Sequence, residues 1–139
     1  MRRHSLTPTA GDDLSDSETA YAECVVVEHH DHDRVHVSGV TSDEPHDDMG
    51  DQTRDVLEQI EDIVDGAGGT MGDVVRVRVY VESPALTQAN FDAIHEARRE
   101  FFDPGSYPAS TLVEVEGLIR EGRLIEIDAD AVVPHDGWE

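Results

Sequence analysis

Several groups of residues in this sequence could do chemistry. His29-His30-Asp31-His32-Asp33 places three imidazoles and two carboxylates within five residues, and both side-chain types are good metal ligands. Arg76, Arg78 and Tyr80 alternate along one stretch; Glu126, Asp128 and Asp130 alternate along another. Two such rows can pair opposite charges across a sheet, and Arg–carboxylate forks suit a subunit interface as well as a solvated face. Cys24 is the only cysteine, so an intrachain disulfide is excluded; its run Cys24-Val25-Val26-Val27 marks it as a small core hydrophobe. Ser110 has no base nearby in sequence and no nucleophile-elbow glycines, so it reads as structural or substrate-contacting. By pattern alone Glu126 is the polar side of a strand and His95 a helix-surface histidine.

The elements that must position these groups follow from periodicity. Residues 21–28 and 34–40 read as two strands of a hairpin with the His/Asp cluster at its tip. Adjacent side chains at a tip alternate faces, so the cluster predicts incidental affinity for nickel or zinc and no built metal site. Residues 51–65 have helical period, with Val56, Ile60, Ile63 and Val64 on one stripe, stopped by Gly66, Gly68 and Gly69. Residues 73–81 are a strand with Val75, Val77, Val79 and Val81 on one face. Ser83-Pro84 reads as an N-cap with Pro at the first helical position, and 85–102 as a second helix with Phe91, Ile94, Arg98 and Phe101 on a stripe. Strands at 111–115 and 125–131 close a β-β-α-β-α-β-β order: an α+β fold with both helices on one face of a mixed sheet. The Gly66–Gly72 region lacks Lys and follows a helix, so it is no phosphate loop. The acidic runs lack calcium-loop spacing.

Composition bounds the function. The chain has 139 residues, enough for one domain, and 32 acids against 10 bases for a formal net charge of −22. All ten bases are Arg. Such a surface repels phosphate backbones and anionic membranes, so nucleic-acid and membrane partners are not expected. Acid-rich composition without Lys is what a halophile's salt-rich cytoplasm selects, where salt screens the self-repulsion. Met1-Arg2-Arg3 is followed by no apolar stretch, so no signal peptide is read and the expected location is cytoplasmic. Residues 1–19 read as a flexible acidic tail, 20–133 as a single domain and 134–139 as a C-terminal tail.

Val37-Ser38-Gly39, the run from Gly72 to Val81, Phe101-Phe102, Tyr107-Pro108-Ala109-Ser110-Thr111-Leu112-Val113-Glu114-Val115 and Ile125-Glu126-Ile127-Asp128-Ala129-Asp130-Ala131 together resemble the RidA (YjgF-type) family. The resemblance implies a chorismate-mutase-like fold assembled as a homotrimer with clefts between subunits. It implies hydrolysis of reactive enamines and imines to a keto acid and ammonia, without metal or organic cofactor. In the imine-hydrolysing members an Arg follows the Pro-Ala dipeptide and holds the substrate carboxylate; here that place is Ser110. A neutral hydroxyl cannot replace the guanidinium fork, so this chain resembles a branch lacking that Arg. Carried over residue by residue, Tyr21 matches a Tyr that closes over the ligand, Gly39 a strand-end Gly beside the substrate, and Glu126 a Glu that positions the attacking water. His95 falls where many members have Asn, and a His there can donate to a carboxylate or act as general base.

The resulting expectation is a small-molecule-binding homotrimer with Glu126 and His95 catalytic and Tyr21, Gly39 and Ser110 substrate-binding. A non-catalytic ligand-sensing or client-binding module using the same cleft is the alternative. Pairing of Glu126 with Arg76 or Arg78 would weaken the enzyme reading.

Overall fold

The computed structural model describes residues 1–6, 20–45 and 48–139. Six strands form one mixed sheet: β1 (Arg2–Leu6), β2 (Cys24–Glu28), β3 (His32–Thr41), β4 (Val74–Glu82), β5 (Ala109–Val115) and β6 (Ile125–Pro134), in the spatial order β1-β2-β3-β6-β4-β5. Only the β4–β5 pair is parallel. Helices α1 (Met49–Gly66) and α2 (Gln88–Arg99) cover one face. From β2 onward the order is the β-β-α-β-α-β-β read from periodicity.

The core forms because one side of each central strand is apolar. Val35 and Val37 on β3, Val77, Val79 and Val81 on β4, and Ile125, Ile127, Ala129 and Ala131 on β6 meet Val56, Leu57, Ile60 and Val64 of α1. Ile94 of α2 joins the same cluster. The opposite face of β4 and β6 carries the charged rows. Among the described residues, no helix is long and apolar enough to cross a membrane.

Four expectations need correction. Arg2–Leu6 is an edge strand paired with β2, although it was read as part of a loose tail; its five residues are all exposed, so pairing rather than apolar alternation makes the strand. The remaining tail residues, 7–19, lie outside the described residues. On β4 the buried residue is Val74, and Val75 stands 39% exposed, because the pairing with β6 slips between Val74 and Arg76 and turns the side chains over. α2 starts three residues late: Ser83–Pro84 is a cis peptide and Thr87 is the cap, its hydroxyl accepting from Asn90 N at 3.2 Å. Ile94 and Ala97 form its buried stripe, while Phe91 faces outward.

Beyond β6, the Trp138 indole N–H donates to Asp73 Oδ1 at 2.7 Å, tying the C-terminus to the short turn of 3-10 helix Met71–Asp73.

Candidate functional site

The two charged rows lie side by side. In the β4–β6 register Arg76 stands opposite Asp130, Arg78 opposite Asp128 and Tyr80 opposite Glu126. Arg78 bridges two acids, Nη1 to Asp128 Oδ1 at 2.7 Å and Nη2 to Asp130 Oδ2 at 3.1 Å, and these carboxylates push its basicity up. Tyr80 donates its hydroxyl to Asp128 Oδ2 at 3.1 Å; burial and this bond raise its pKa. His36 Nδ1 lies 2.8 Å from Asp130 Oδ1. Arg76 turns away from the acids and donates to Thr111 Oγ1 at 2.9 Å.

Glu126 is the exception in this row. Its carboxylate pairs with neither arginine and makes no hydrogen bond among the described residues. Burial, with Asp128 beside it on the same strand, holds its carboxyl above the usual range. It lies against β3 where that strand bulges: Val37 opposes Ala129 but Val40 opposes Ile127, so β3 spends one extra residue there. Gly39 occupies the bulge, and a side chain there would collide with the Glu126 carboxylate. The bulge is also tied to the start of β2, with Ser38 N donating to Glu23 O at 3.0 Å and Ser38 Oγ to Ala22 O at 2.6 Å. Tyr21 precedes that anchor and is 55% exposed. Gly39 and Glu126 thus meet at the bulge of β3, and Tyr21 is the chain neighbour of Ala22, which anchors that bulge.

His95 and Ser110 belong to a different one. Ser110 sits on β5 opposite Val77, so its side chain leans toward the helix layer. There it accepts a hydrogen bond from Arg98 Nη1 of α2 at 3.0 Å. His95, one turn before Arg98, packs edge-on against the Phe91 ring with centroids 4.4 Å apart. Burial, then Arg98 and Arg99, hold its pKa below the ordinary value, which favours the neutral imidazole. Within one chain the sheet separates the two neighbourhoods: Glu126 is on the charged face, Ser110 and His95 on the helix side.

Arg98 and Tyr80 are the residues that sequence reading did not mark for the site. The signal for Arg98 was present, a charged residue in the otherwise apolar stripe of α2. At the hairpin tip, His29 and His32 stack with centroids 4.4 Å apart, His32 Nδ1 lies 2.8 Å from Asp31 Oδ1, and His135 Nε2 lies 2.9 Å from Asp33 Oδ1. No group of three or more His, Cys, Asp or Glu side chains among the described residues converges to hold a metal ion. Cys24 is fully buried, and burial pushes its thiol pKa up, an inert core position.

Comparison with known proteins fits this architecture. A family model described as endoribonuclease L-PSP matches residues 14–133. A member of the YjgF/YER057c/UK114 family from Mycobacterium tuberculosis is 33% identical, with 95% of this chain and 100% of that one covered and a TM-score of 0.78. A Pseudomonas aeruginosa protein of unknown function is 30% identical over 99% of both chains, TM-score 0.76. RidA from the Antarctic bacterium Psychrobacter shares the fold at 22% identity, covering 93% of this chain and 94% of that one, TM-score 0.69. With the match spanning the six-stranded sheet's core and both helices, this chain belongs to the YjgF/RidA family.

Proposed function

We propose that this protein binds a small metabolite in clefts between subunits of a homotrimer and hydrolyses reactive imines or enamines there to a keto acid and ammonia. The observation that carries the reading is Glu126: a half-buried carboxylate without a hydrogen-bond or ion-pair partner among the described residues, in a row where Asp128 and Asp130 are both paired. A carboxylate held out of ion pairs and above its usual pKa is suited to orient a water and take its proton. That water adds to the C=N carbon, the nitrogen gains a proton, and the carbinolamine collapses to C=O as ammonia leaves. His95, its pKa held down by burial, serves as the second acid–base group.

The two neighbourhoods lie on opposite sides of one sheet, so a cleft using both draws them from two copies. Exposure at β5 favours such assembly: this edge strand carries Val113 at 42% exposure. A ribonuclease reading, suggested by the name of the family model, fits poorly with a net charge of −22. The charge and the absence of Lys favour a salt-rich cytoplasm as its setting.

The test is release of keto acid and ammonia from freshly generated 2-imino acids in molar potassium chloride, with Glu126→Ala and Ser110→Arg run beside the wild type. An active wild type and a dead Glu126→Ala support the hydrolase. Ser110, standing in the place of the family Arg, favours one second reading, a ligand-sensing module. An inert wild type that still assembles and binds a carboxylate would establish it in place of the enzyme.

A further inference from the structure

The residues after β6, 135–139, are held to the rest of the chain at two points. At the first, His135 lies against the hairpin of β2 and β3. Its amide donates to Asp31 O at 2.9 Å, and its Nε2 lies 2.9 Å from Asp33 Oδ1. At the second, the Trp138 indole N–H donates to Asp73 Oδ1 at 2.7 Å, while Asp73 Oδ2 accepts from the Thr70 amide at 2.8 Å. Between them the chain turns at Gly137, whose φ of +79° suits a residue without a side chain and whose amide donates to Pro134 O at 3.2 Å. Two carboxylates distant in sequence, one on β3 and one in the turn before β4, thus grip one short segment.

The two grips differ in chemistry. An indole N–H donates at any ordinary pH, and Asp73 is buried with both oxygens engaged. The backbone bond to Asp31 does not titrate either. His135 does. Its ring lies between the Asp33 carboxylate and the His30 backbone, so an imidazolium serves both with its two N–H groups and a neutral ring keeps only one. The bond to Asp33, supported by the charge of Asp31, holds the His135 pKa above the ordinary value.

The other charged groups at this end leave that pairing intact. Asp33 stands opposite Glu28 of β2 and Val133 of β6. Glu28 is taken by His4 of β1 at 3.3 Å, with Arg2 opposite it. Asp31 is taken by His32 at 2.8 Å, His29 stacks on His32, and His30 is exposed. Asp136 follows His135 on the segment itself and adds a further negative charge.

We propose that residues 135–139 form a pH-sensitive strap across one end of the sheet, closed while His135 is protonated and loosened as pH rises past neutrality, with Trp138 leaving Asp73 as it opens. Protonation favours the closed strap fully below the ordinary imidazole value, and this gain is lost as pH rises through the higher value of the closed form. Each pKa unit between the two forms weakens closure about ten-fold. Without it, the Trp138 bond is left nearly alone to offset the ordering of the segment. The strap does not rest on the reaction proposed above, since Glu126 lies at the opposite end of β6.

Trp138 is the only tryptophan, so the full chain reports on its own strap. Its emission, and its quenching by neutral acrylamide, are followed from about pH 5.5 to about pH 9 at fixed potassium chloride. Wild type should show one transition centred above about 6.5, with stronger quenching on the alkaline side. His135→Gln should be quenched at every pH as strongly as alkaline wild type, and His135→Arg should stay protected throughout. Asp33→Asn should lose most of the pH dependence, and His32→Gln should keep it. A wild type whose quenching is constant with pH would overturn the proposal, as would the same transition surviving in His135→Gln or His135→Arg. Should Asp33→Asn disturb the hairpin, seen by circular dichroism, the His135 variants decide, because they change an exposed side chain beyond the last strand.

Discussion

A β-carbon built on Gly39 stands 2.6 Å from Oε2 of Glu126 and 2.9 Å from its carboxyl carbon. The absence of a side chain at the β3 bulge is what lets that carboxylate lie where it does. The obstacle is the far end of a flexible side chain, so Gly39→Ala is expected to displace Glu126 at little cost to folding, within about 1 kcal/mol. Imine hydrolysis should fall by about ten-fold or more, because misplacing a reacting group by an ångström is costly. Urea unfolding and ammonia release, measured on the same preparation, check whether the two effects separate.

Glu126 should also show itself in stability. Burial and Asp128 hold its folded-state pKa above the unfolded value, so ionising it disfavours the folded chain. The cost is absent below the unfolded value, grows as pH rises through the interval between the two values, and is constant above it. Glu126→Gln carries no such charge. Its melting temperature should match wild type near pH 4 and exceed it by about a degree or two at pH 8. A variant less stable than wild type at pH 8 would mean that the ionised carboxylate is held by a favourable partner.

Gln52 is expected to govern the approach to β6. This buried α1 side chain donates to Gly122 O at 2.9 Å and accepts from Leu124 N at 2.7 Å, fastening the loop that leads to Glu126. Gln52→Leu keeps the volume and removes both bonds, which should cost about 2 kcal/mol. Faster hydrogen exchange at the Leu124 amide, with Ile127 unaffected, would localise the loss.

The elements that proved legible were those whose burial sets a period. Val77, Val79 and Val81 alternate strictly because one face of β4 is buried, so that face, and the charged face behind it, could be read directly. The bulges could not. Nothing local distinguishes Val74 from Val75 or marks Gly39 as an extra residue; both depend on register with β6. Ser83-Pro84 carries the same letters as a helix start, and only the fold makes it a turn before Thr87. Tyr21, Gly39, Ser110 and Glu126 could be named as candidates only through the family resemblance; among them, the structure brings Gly39 against Glu126. Arg98 escaped because its meeting with Ser110 joins two elements, helix to strand, that no local spacing connects.

Arg78 gives a measure of what covers the charged face. Its side chain is 40% exposed in the single chain, where solvent screens its pairs with Asp128 and Asp130. Covered by a second copy, loss of the guanidinium would strand two carboxylates. Arg78→Met should therefore change unfolding of the isolated chain little and weaken association markedly, seen as dissociation in sedimentation at concentrations where wild type stays assembled. Equal assembly of the two would place this face in solvent.

The sheet that keeps Glu126 on one side and Ser110 on the other has a consequence for inheritance. Each cleft of the proposed trimer takes its halves from different copies, so a copy defective in one half can lend the other. Mixed assemblies of Glu126→Ala and His95→Ala chains, each defective alone, should carry both intact halves in about one cleft in four. Two damaged alleles would complement each other, provided that their lesions lie on opposite faces.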